Sequence, residues 1–469
     1  MGIAKKLAEN IVNTRWEDLP PEAVYWCKVA LMDTLGCNLA GSREDAPTLL
    51  RETTMPAQGN CLVLGTTLRV PCLDAAQING TAAHALDFDN TAAQFAGHIS
   101  AVLIPALIAV SEAHNKSLED LLLAHAVGYE AGCRIGRAVN IGLYHSDKGW
   151  HPTSTLGVFA VAAACANLLQ LTAEQTETAL ALAASLSAGI KANFGTMTKP
   201  LHVGECARNG ILAVLLARKG FTANPEAFEH KQGYFNLYNG AGHFDASKVN
   251  ESWGQPFEVV RPGASYKQYP CCYSTHAAIE AALTLTREHG AFDPARIAKI
   301  ETWTPAFGLS YTNRPDPKSD LDAKFSVQYC VTRALTTGKV VMEYFENNAF
   351  QQAVPQSVLP RVRSEIFTSP MFDPDDPFDA ELKLTLNDGK VLHTKVDRPL
   401  GRTSDIPIPL AHLQAKFRDC ASRTVTGGAV EKLLQVIVFK EEKFLVPELT
   451  KLLEDGALAG STATNAAPR

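Results

Sequence analysis

The sequence has no excess of positive charge, because 43 basic residues stand against 49 acidic ones and the formal net charge is -6. Proteins that bind a phosphate backbone carry basic surfaces that displace its counterions. Nucleic acid is therefore not an expected partner of this protein.

Long apolar runs are also missing. The most hydrophobic stretches, 156–171 and 178–190, are rich in alanine and are interrupted by polar residues, so neither is typical of a membrane-spanning helix. The N-terminus lacks the apolar core of a secretory signal. These absences predict a soluble, cytoplasmic protein with no membrane partner.

Sequence motifs that are typical of cofactor-binding and hydrolase sites are absent as well. The sequence contains no phosphate-binding loop, no H-E-x-x-H and no G-x-S-x-G, and Gly240-Ala-Gly242 is too short for a dinucleotide fingerprint. The 11 cysteines are scattered without C-x-x-C spacing, which argues against a zinc knuckle and against a disulfide framework. We therefore expect no cofactor and no structural metal.

Most of the chain shows helical periodicity. Hydrophobic residues make up 46% of the 469 residues, which is enough for a large core. Residues 1–260 and 405–456 predict an all-α helical domain, with capping boxes at Ser117–Asp120 and Thr172–Gln175. Alanine-rich helices in this part predict closely packed helix axes.

The segment 261–404 differs, because prolines and alternating strand patterns become common there. Residues 381–386 and 391–396 alternate on either side of Asn387-Asp388-Gly389, which predicts a β-hairpin. A strand at 296–303 and helices at 274–289 and 323–337 complete a predicted α+β lid domain. The fold class is thus mainly α with a smaller α+β domain, and the tail 457–469 is expected to be disordered.

The segment His84-Ala-Leu-Asp-Phe-Asp-Asn-Thr91 places polar side chains in alanine-rich surroundings. On a helix, His84, Asp87 and Thr91 are three and four residues apart and share one face, which predicts the wall of a pocket. Two other interpretations stay open. His84 and Asp89 can simply brace or cap a helix, or the segment can bind a divalent metal together with His98.

Three reactive side chains directly precede a proline, namely His151, Lys199 and Tyr269. A residue before proline is pushed out of the helical region, and proline suits the first turn of a helix. We therefore expect these side chains in extended loops that enter helices. Lys199 stands three residues before His202, ahead of a helix predicted over 204–219, which favours a carboxylate-binding role.

The inventory of histidines, carboxylates, a lysine and tyrosines suits proton abstraction next to a carboxylate. In such chemistry a cation holds the substrate's carboxylates while a neutral base removes the carbon-bound proton. The expected partner is a small di- or tricarboxylate.

Five motifs, in this order along the chain, carry a family resemblance: His84-Ala-Leu-Asp-Phe-Asp-Asn-Thr91, Gly149-Trp-His-Pro-Thr153, Thr198-Lys-Pro-Leu-His-Val-Gly204, Tyr269-Pro-Cys-Cys-Tyr-Ser-Thr-His276 and Ala323-Lys-Phe-Ser-Val-Gln-Tyr329. With them the chain resembles the MmgE/PrpD family, whose members include 2-methylcitrate dehydratase, cis-aconitate decarboxylase and iminodisuccinate epimerase. The resemblance implies a large helical domain built from both ends of the chain, an inserted α/β lid domain, a homodimer and a cofactor-free pocket.

The resemblance also implies roles for individual residues. The implied catalytic residues are Asp87, His151, Lys199 and Tyr329, although pattern alone makes Tyr329 a core residue. The implied or neighbouring substrate-binding candidates are Thr91, His98, Tyr144, His202, Lys267 and His276. After Thr91 the sequence Ala92-Ala-Gln-Phe-Ala-Gly-His-Ile-Ser100 departs from the lyase pattern, so an altered substrate-facing surface is expected.

The leading hypothesis is a cofactor-independent lyase of the 2-methylcitrate dehydratase or cis-aconitate decarboxylase type. In it Lys199 and His202 hold carboxylates, His151 exchanges the proton and Asp87 orients a histidine. An epimerase of a substituted succinate such as iminodisuccinate is the first alternative. A metal-dependent helical hydrolase or synthase is the second, and a non-catalytic helical scaffold is the third.

Overall fold

The computed structural model describes residues 2–139, 144–367, 378–439 and 443–458. Its helices are α1 Ile3–Asn13, α2 Pro21–Gly41, α3 Asp45–Thr54, α4 Cys72–Ala85, α5 Ile99–Ala113, α6 Leu118–Val139, α7 Tyr144–Asp147, α8 Pro152–Thr155, α9 Gly157–Leu168, α10 Ala173–Leu186, α11 Thr198–Arg218, α12 Tyr234–Tyr238, α13 His276–His289, α14 Ala306–Thr312, α15 Asp320–Lys324, α16 Val327–Thr337, α17 Ala353–Val358, α18 Leu410–Ala421, α19 Gly427–Leu434 and α20 Val446–Asp455. Its strands are β1 Cys61–Leu62, β2 Arg69–Val70, β3 Thr91–Ala92, β4 Ala264–Ser265, β5 Ile297–Thr304, β6 Val362–Ile366, β7 Ala380–Leu386 and β8 Val391–Val396.

The chain divides into two compact units. The first contains the residues up to Tyr266 together with those from Thr403 onward, and the second contains Lys267–Arg402. The first unit is helical apart from the short ladders β1–β2 and β3–β4. The second unit combines helices with a four-stranded sheet. The predicted fold class, mainly α with a smaller α+β part, is confirmed.

In the first unit, α11 packs against α4, α9 and α10. Glycines allow the closest of these approaches. A Cβ atom built on Gly80 of α4 would lie 2.9 Å from the Gly204 Cα of α11, and one built on Gly204 would lie 2.2 Å from the Gln77 carbonyl oxygen. No larger residue fits there without moving a helix backbone, so the two glycines set the distance between the helices.

The sheet of the second unit has the strand order β6-β5-β7-β8. Strand β5 runs parallel to β6 and antiparallel to β7, and β7 pairs with β8 in the predicted hairpin. Alternate residues of β7 are buried, and α13 packs against β7 and β8. The period-2 pattern of β7 therefore buries one face of the sheet under a helix.

The two predicted capping boxes are also confirmed. Thr172 and Gln175 form a reciprocal capping box at α10, and Ser117 and Asp120 do so at α6. Gly220, with φ 86°, and Gly290, with φ 78°, follow the ends of α11 and α13. These left-handed conformations favour glycine and end a helix.

Three expectations about helices are wrong. Helix α4 ends at Ala85 because Asp87 adopts a left-handed conformation with φ 53°, so Thr91 does not share a helix face with His84. Helix α11 begins at Thr198, so Lys199 lies inside it and not in an extended loop. Pro200 is tolerated there because the first turn leaves its N–H groups without helical partners.

The third error concerns the single helix predicted over 323–337. It is split into α15 and α16 because the Ser326 hydroxyl accepts the Tyr329 amide and starts a new helix. In the predicted disordered tail, Ala457 bridges to Val425 and the Leu458 amide donates to Thr424. Residues 459–469 lie outside the described residues.

In the ranges that the structure describes, every helix falls short of the length or hydrophobicity needed to cross a bilayer.

We expect the α4–α11 contact to be sensitive to a single methyl group. Gly204→Ala should lower the free energy of unfolding by about 1–3 kcal/mol because its Cβ collides with the α4 backbone. Gly428→Ala in α19 is the matched control, since a Cβ there meets no atom within 4 Å. Urea denaturation measures both, and equal stability of the two variants would contradict the close approach.

Candidate active site

The candidate site begins where α4 ends. Asp89 lies between two histidines, with its Oδ1 2.9 Å from the His84 Nδ1 and its Oδ2 2.8 Å from the His98 Nδ1. The two imidazole rings are 4.3 Å apart between centroids. Asp89 is fully buried and His84 nearly so. Because the Asp89 carboxylate accepts from the His84 Nδ1, His84 carries its proton there and turns a lone pair outward at Nε2.

The pKa values in this triad fit that tautomer. Burial alone raises the pKa of the Asp89 carboxyl, but the charges of His84 and His98 outweigh it and hold the pKa well below its usual range. Burial lowers the pKa of His84 to about 4, although Asp89 opposes the shift. At neutral pH, Asp89 is therefore ionised and His84 is neutral.

Asp87 pairs with the cation at the start of α11. The Lys199 Nζ lies 2.5 Å from the Asp87 Oδ1 and 5.3 Å from the centroid of the Phe194 ring. The Nε2 atoms of His84 and His98 are 3.9 Å and 3.8 Å from the same carboxylate oxygen. One buried oxygen thus faces an ammonium group and two imidazole edges.

A second histidine pair lies next to the first. The Nδ1 atoms of His151 and His202 are 3.1 Å apart, and the His84 and His151 rings are 6.4 Å apart between centroids. His151 caps α8 in an extended conformation, as its proline predicts. His202 stands one turn beyond Lys199 in α11.

Both imidazoles of this pair titrate below the usual histidine range. Burial, followed by the charge of Lys199, holds the pKa of His151 well below its ordinary value. Burial and Lys199 also lower the pKa of His202. Burial and the neighbouring cation together keep these two bases neutral.

We call His84, Asp87, Asp89 and His98 the histidine–aspartate cluster. Each residue offers a ligand atom, and these atoms all lie within 4.8 Å of one another. Such nitrogen and oxygen donors suit a transition metal ion. However, the Lys199 ammonium already neutralises Asp87, so a metal ion and the lysine would compete for that carboxylate.

Two further residues predicted for the site, Thr91 and Tyr144, lie in the same unit but have other neighbours. Half-buried Thr91 opens β3 and pairs with Ser265 of β4. The Tyr144 ring stacks on His243 at 4.0 Å between centroids. The next residue, His145, braces this part of the chain, because its ring nitrogens contact the Asn239 Oδ1 and the Thr155 Oγ1 at 2.7 and 2.8 Å.

The remaining predicted residues, Lys267, His276 and Tyr329, belong to the second unit, where all three are buried. The His276 ring stacks on Tyr273 and meets Tyr269 edge-on. His276 also lowers the pKa of the neighbouring Cys271 thiol. Burial raises the pKa of Cys271, but its electrostatic interactions with Cys330 and His276 outweigh burial and lower the pKa to about 5.

Tyr329 is a core residue of the second unit. Its hydroxyl donates to the Tyr344 carbonyl at 2.5 Å and accepts from the Arg333 Nε at 2.9 Å. Burial raises its pKa to about 12, against the opposing effect of Arg333. The pattern alone indicated a core position, and its catalytic role stays a prediction.

Sequence reasoning undervalued Asp89 and His84, which it treated as capping and bracing residues. Their separation of five residues matches no helical face, so periodicity could not connect them. Only the turn at Asp87 brings the carboxylate of Asp89 back to the imidazole of His84.

Comparison with known proteins agrees with the motifs. The family model described as the MmgE/PrpD N-terminal domain matches residues 5–247, and the MmgE/PrpD C-terminal domain matches residues 269–440. A protein from Homo sapiens named cis-aconitate decarboxylase is 29% identical over 472 residues, which cover 97% of this chain and 95% of the relative.

Two further relatives carry the same name. The protein from Mus musculus is 31% identical over 402 residues, covering 82% of this chain and 79% of its own length. The protein from Aspergillus terreus is 25% identical over 482 residues, covering 96% of both chains. With both family domains present and relatives that align along most of their length, the chain belongs to the MmgE/PrpD family and is a lyase-type enzyme of that family.

Proposed function

We propose that the protein is a proton-transferring lyase that acts on a small di- or tricarboxylate without a bound cofactor. Decarboxylation of cis-aconitate is the leading reaction, because the relatives that align with nearly the whole chain carry that name. The observation that carries the proposal is the buried ammonium of Lys199 beside two pairs of imidazoles. We further propose a homodimer, as the family resemblance implies, in the cytoplasm, as the composition of the sequence predicts.

Lys199 and His202 hold the substrate's carboxylates in this proposal. An ammonium group has three N–H donors, so Lys199 can bind a carboxylate while Asp87 fixes its position. A buried cation also stabilises negative charge that develops on the substrate during the reaction, since little water screens it. His202, one turn further along α11, extends the same binding surface.

His151 exchanges the proton. When a carbon–carbon bond breaks and carbon dioxide leaves, the electron pair shifts through the double bond to the carbon beside another carboxylate. One proton must then reach that carbon. His151, which is neutral in the resting site, first takes up a proton, and the depressed pKa of the protonated imidazole makes it a strong donor. His202 stands in hydrogen-bonding distance to return the proton.

Dehydration and epimerisation are the alternative reactions. The two pairs of histidines, His84 with His98 and His151 with His202, favour them. Removal of a carbon-bound proton requires a neutral base, and inversion requires groups on both faces of the carbon. His98 and His151 belong to separate pairs, so each face can have its own base.

Five residues keep roles that rest on the family resemblance or on their sequence positions. They are Thr91, Tyr144, Lys267 and His276 as substrate contacts and Tyr329 as a catalytic residue. Their contacts within each unit are compatible with packing alone, so these roles remain part of the proposal.

Turnover in deuterated water tests the reaction class. The protein is incubated with cis-aconitate, citrate, methylcitrate or iminodisuccinate and followed by proton NMR. We expect cis-aconitate to lose carbon dioxide and its product to carry one deuteron. Loss of water or inversion would identify the alternative reactions, and no turnover or exchange with any acid would contradict the substrate class.

Two lysine variants, one at each end of α11, test the role of Lys199. Lys199→Met should lower kcat/KM by about 100-fold or more, as loss of a charge-stabilising donor does. Lys219→Met removes an exposed lysine after the same helix and should leave turnover unchanged. Equal activity of the two variants would remove Lys199 from the mechanism.

The pH dependence of kcat/KM should distinguish proton donation from proton removal. Because the pKa of His151 is depressed, its titration falls below the ordinary histidine value of about 6.5. For decarboxylation, His151 must be protonated, so activity rises as the pH falls through this lowered pKa. For dehydration, neutral His151 is the base and activity falls instead. A transition above pH 7 in either direction would contradict His151 as the titrating group.

Chelation tests the metal-dependent alternative, which the histidine–aspartate cluster favours by its donor set. We expect activity to survive dialysis against a strong chelator, because Lys199 supplies the positive charge at Asp87. Metal content is measured on the same sample. Loss of activity that one divalent metal restores would establish the alternative and overturn the cofactor-free mechanism.

A further inference from the structure

A buried lysine of α18 reaches the segment that carries the two catalytic-site carboxylates. The Lys416 side chain is 7% exposed, and its Nζ lies 2.7 Å from the Asp33 Oδ1 of α2. The same Nζ donates to the Phe88 carbonyl oxygen at 2.7 Å and lies 3.8 Å from the centroid of the Phe88 ring. Phe88 stands between Asp87 and Asp89.

Asp33 reaches the same segment with its other oxygen. The Asn90 Nδ2 donates to the Asp33 Oδ2 at 3.1 Å. Residues 88 and 90 are thus tied to one ion pair, while residues 87 and 89 hold the groups of the candidate site. Residues 88 and 90 therefore anchor the segment, whereas residues 87 and 89 carry the side chains of the candidate site.

The ion pair is well suited to act as a fixed anchor. Burial lowers the pKa of Lys416, but the charge of Asp33 outweighs it and raises the pKa to about 12. Lys416 is therefore charged at neutral pH. Buried charge pairs that are fully hydrogen-bonded hold a defined geometry, because separating them leaves a charge without a partner in the interior.

The segment needs such an anchor because its backbone is strained. Asp87 has φ 53°, a conformation that is unfavourable by roughly 1 kcal/mol or more for a residue with a side chain. Strained residues keep their conformation only where several contacts enforce it. Lys199 holds the Asp87 side chain, and Lys416 holds the next carbonyl group.

We propose that Lys416 and Asp33 form a positioning pair that fixes residues 87–90 and thereby sets the Asp87–Lys199 and Asp89–histidine geometries. The pair acts through the backbone and does not touch substrate. The expected loss of kcat rests on the proposed function. The expected change in the hydrogen exchange of residues 84–98 does not.

The test compares Lys416→Met with Arg69→Met. Arg69 bonds to Glu112 and Glu454, so it also joins the C-terminal part of the first unit to its N-terminal part. Glu112, however, lies at the end of α5 opposite to His98. Kinetics, thermal unfolding and hydrogen–deuterium exchange of peptides covering 84–98 are measured for both variants and the wild type.

For Lys416→Met we expect kcat to fall by about 30-fold or more, as displaced catalytic groups require, with KM changed less than about threefold. Exchange in 84–98 should become faster. Arg69→Met should lose thermal stability but keep kcat and the exchange of 84–98. If Lys416→Met does not fold, Asn90→Ala, which leaves the ion pair intact, should show the same loss of kcat and the same faster exchange.

The positioning role is overturned if the folded variant keeps its kcat within about threefold of the wild type, or if its exchange in 84–98 equals that of the wild type. If the wild type turns over none of the tested acids, the proposed function fails, and the exchange comparison alone decides the positioning role.

Discussion

The close approach of α4 and α11 is the constraint on which the site depends. Gly80 and Gly204 allow the two backbones to meet, and α4 continues five residues beyond Gly80 to Ala85 while Lys199 precedes Gly204 by five residues. At 1.5 Å per residue, each end lies about 7.5 Å from the crossing. The lysine of one helix can therefore meet the aspartate that follows the other.

The second constraint is the left-handed turn at Asp87. It stops α4, reverses the chain, and returns Asp89 to His84 near the end of the same helix. Two lysines from different helices stabilise this turn, Lys199 at the side chain and Lys416 at the neighbouring carbonyl. The strain is thus located where the reactive groups are and is balanced by charges from the surrounding helices.

Burial and charge then decide the protonation states. Asp89 is held ionised and fixes the tautomer of His84, while burial and Lys199 keep His151 and His202 neutral. The result is a set of neutral imidazoles around one cation, which suits anionic substrates and the transfer of single protons.

The sequence by itself determined the fold class, the hairpin at 381–396, the capping boxes and the family, because each depends on local pattern or on short motifs. It also named Asp87, His98, His151, Lys199 and His202, which the structure brings together. The tertiary structure alone decided that Asp89 joins His84 to His98, that Tyr329 has its hydroxyl engaged, and that Lys416 reaches residue 88 from 328 positions away. The reason is physical: a left-handed turn and a contact between distant helices follow from the packing of the whole unit, and no local spacing encodes them.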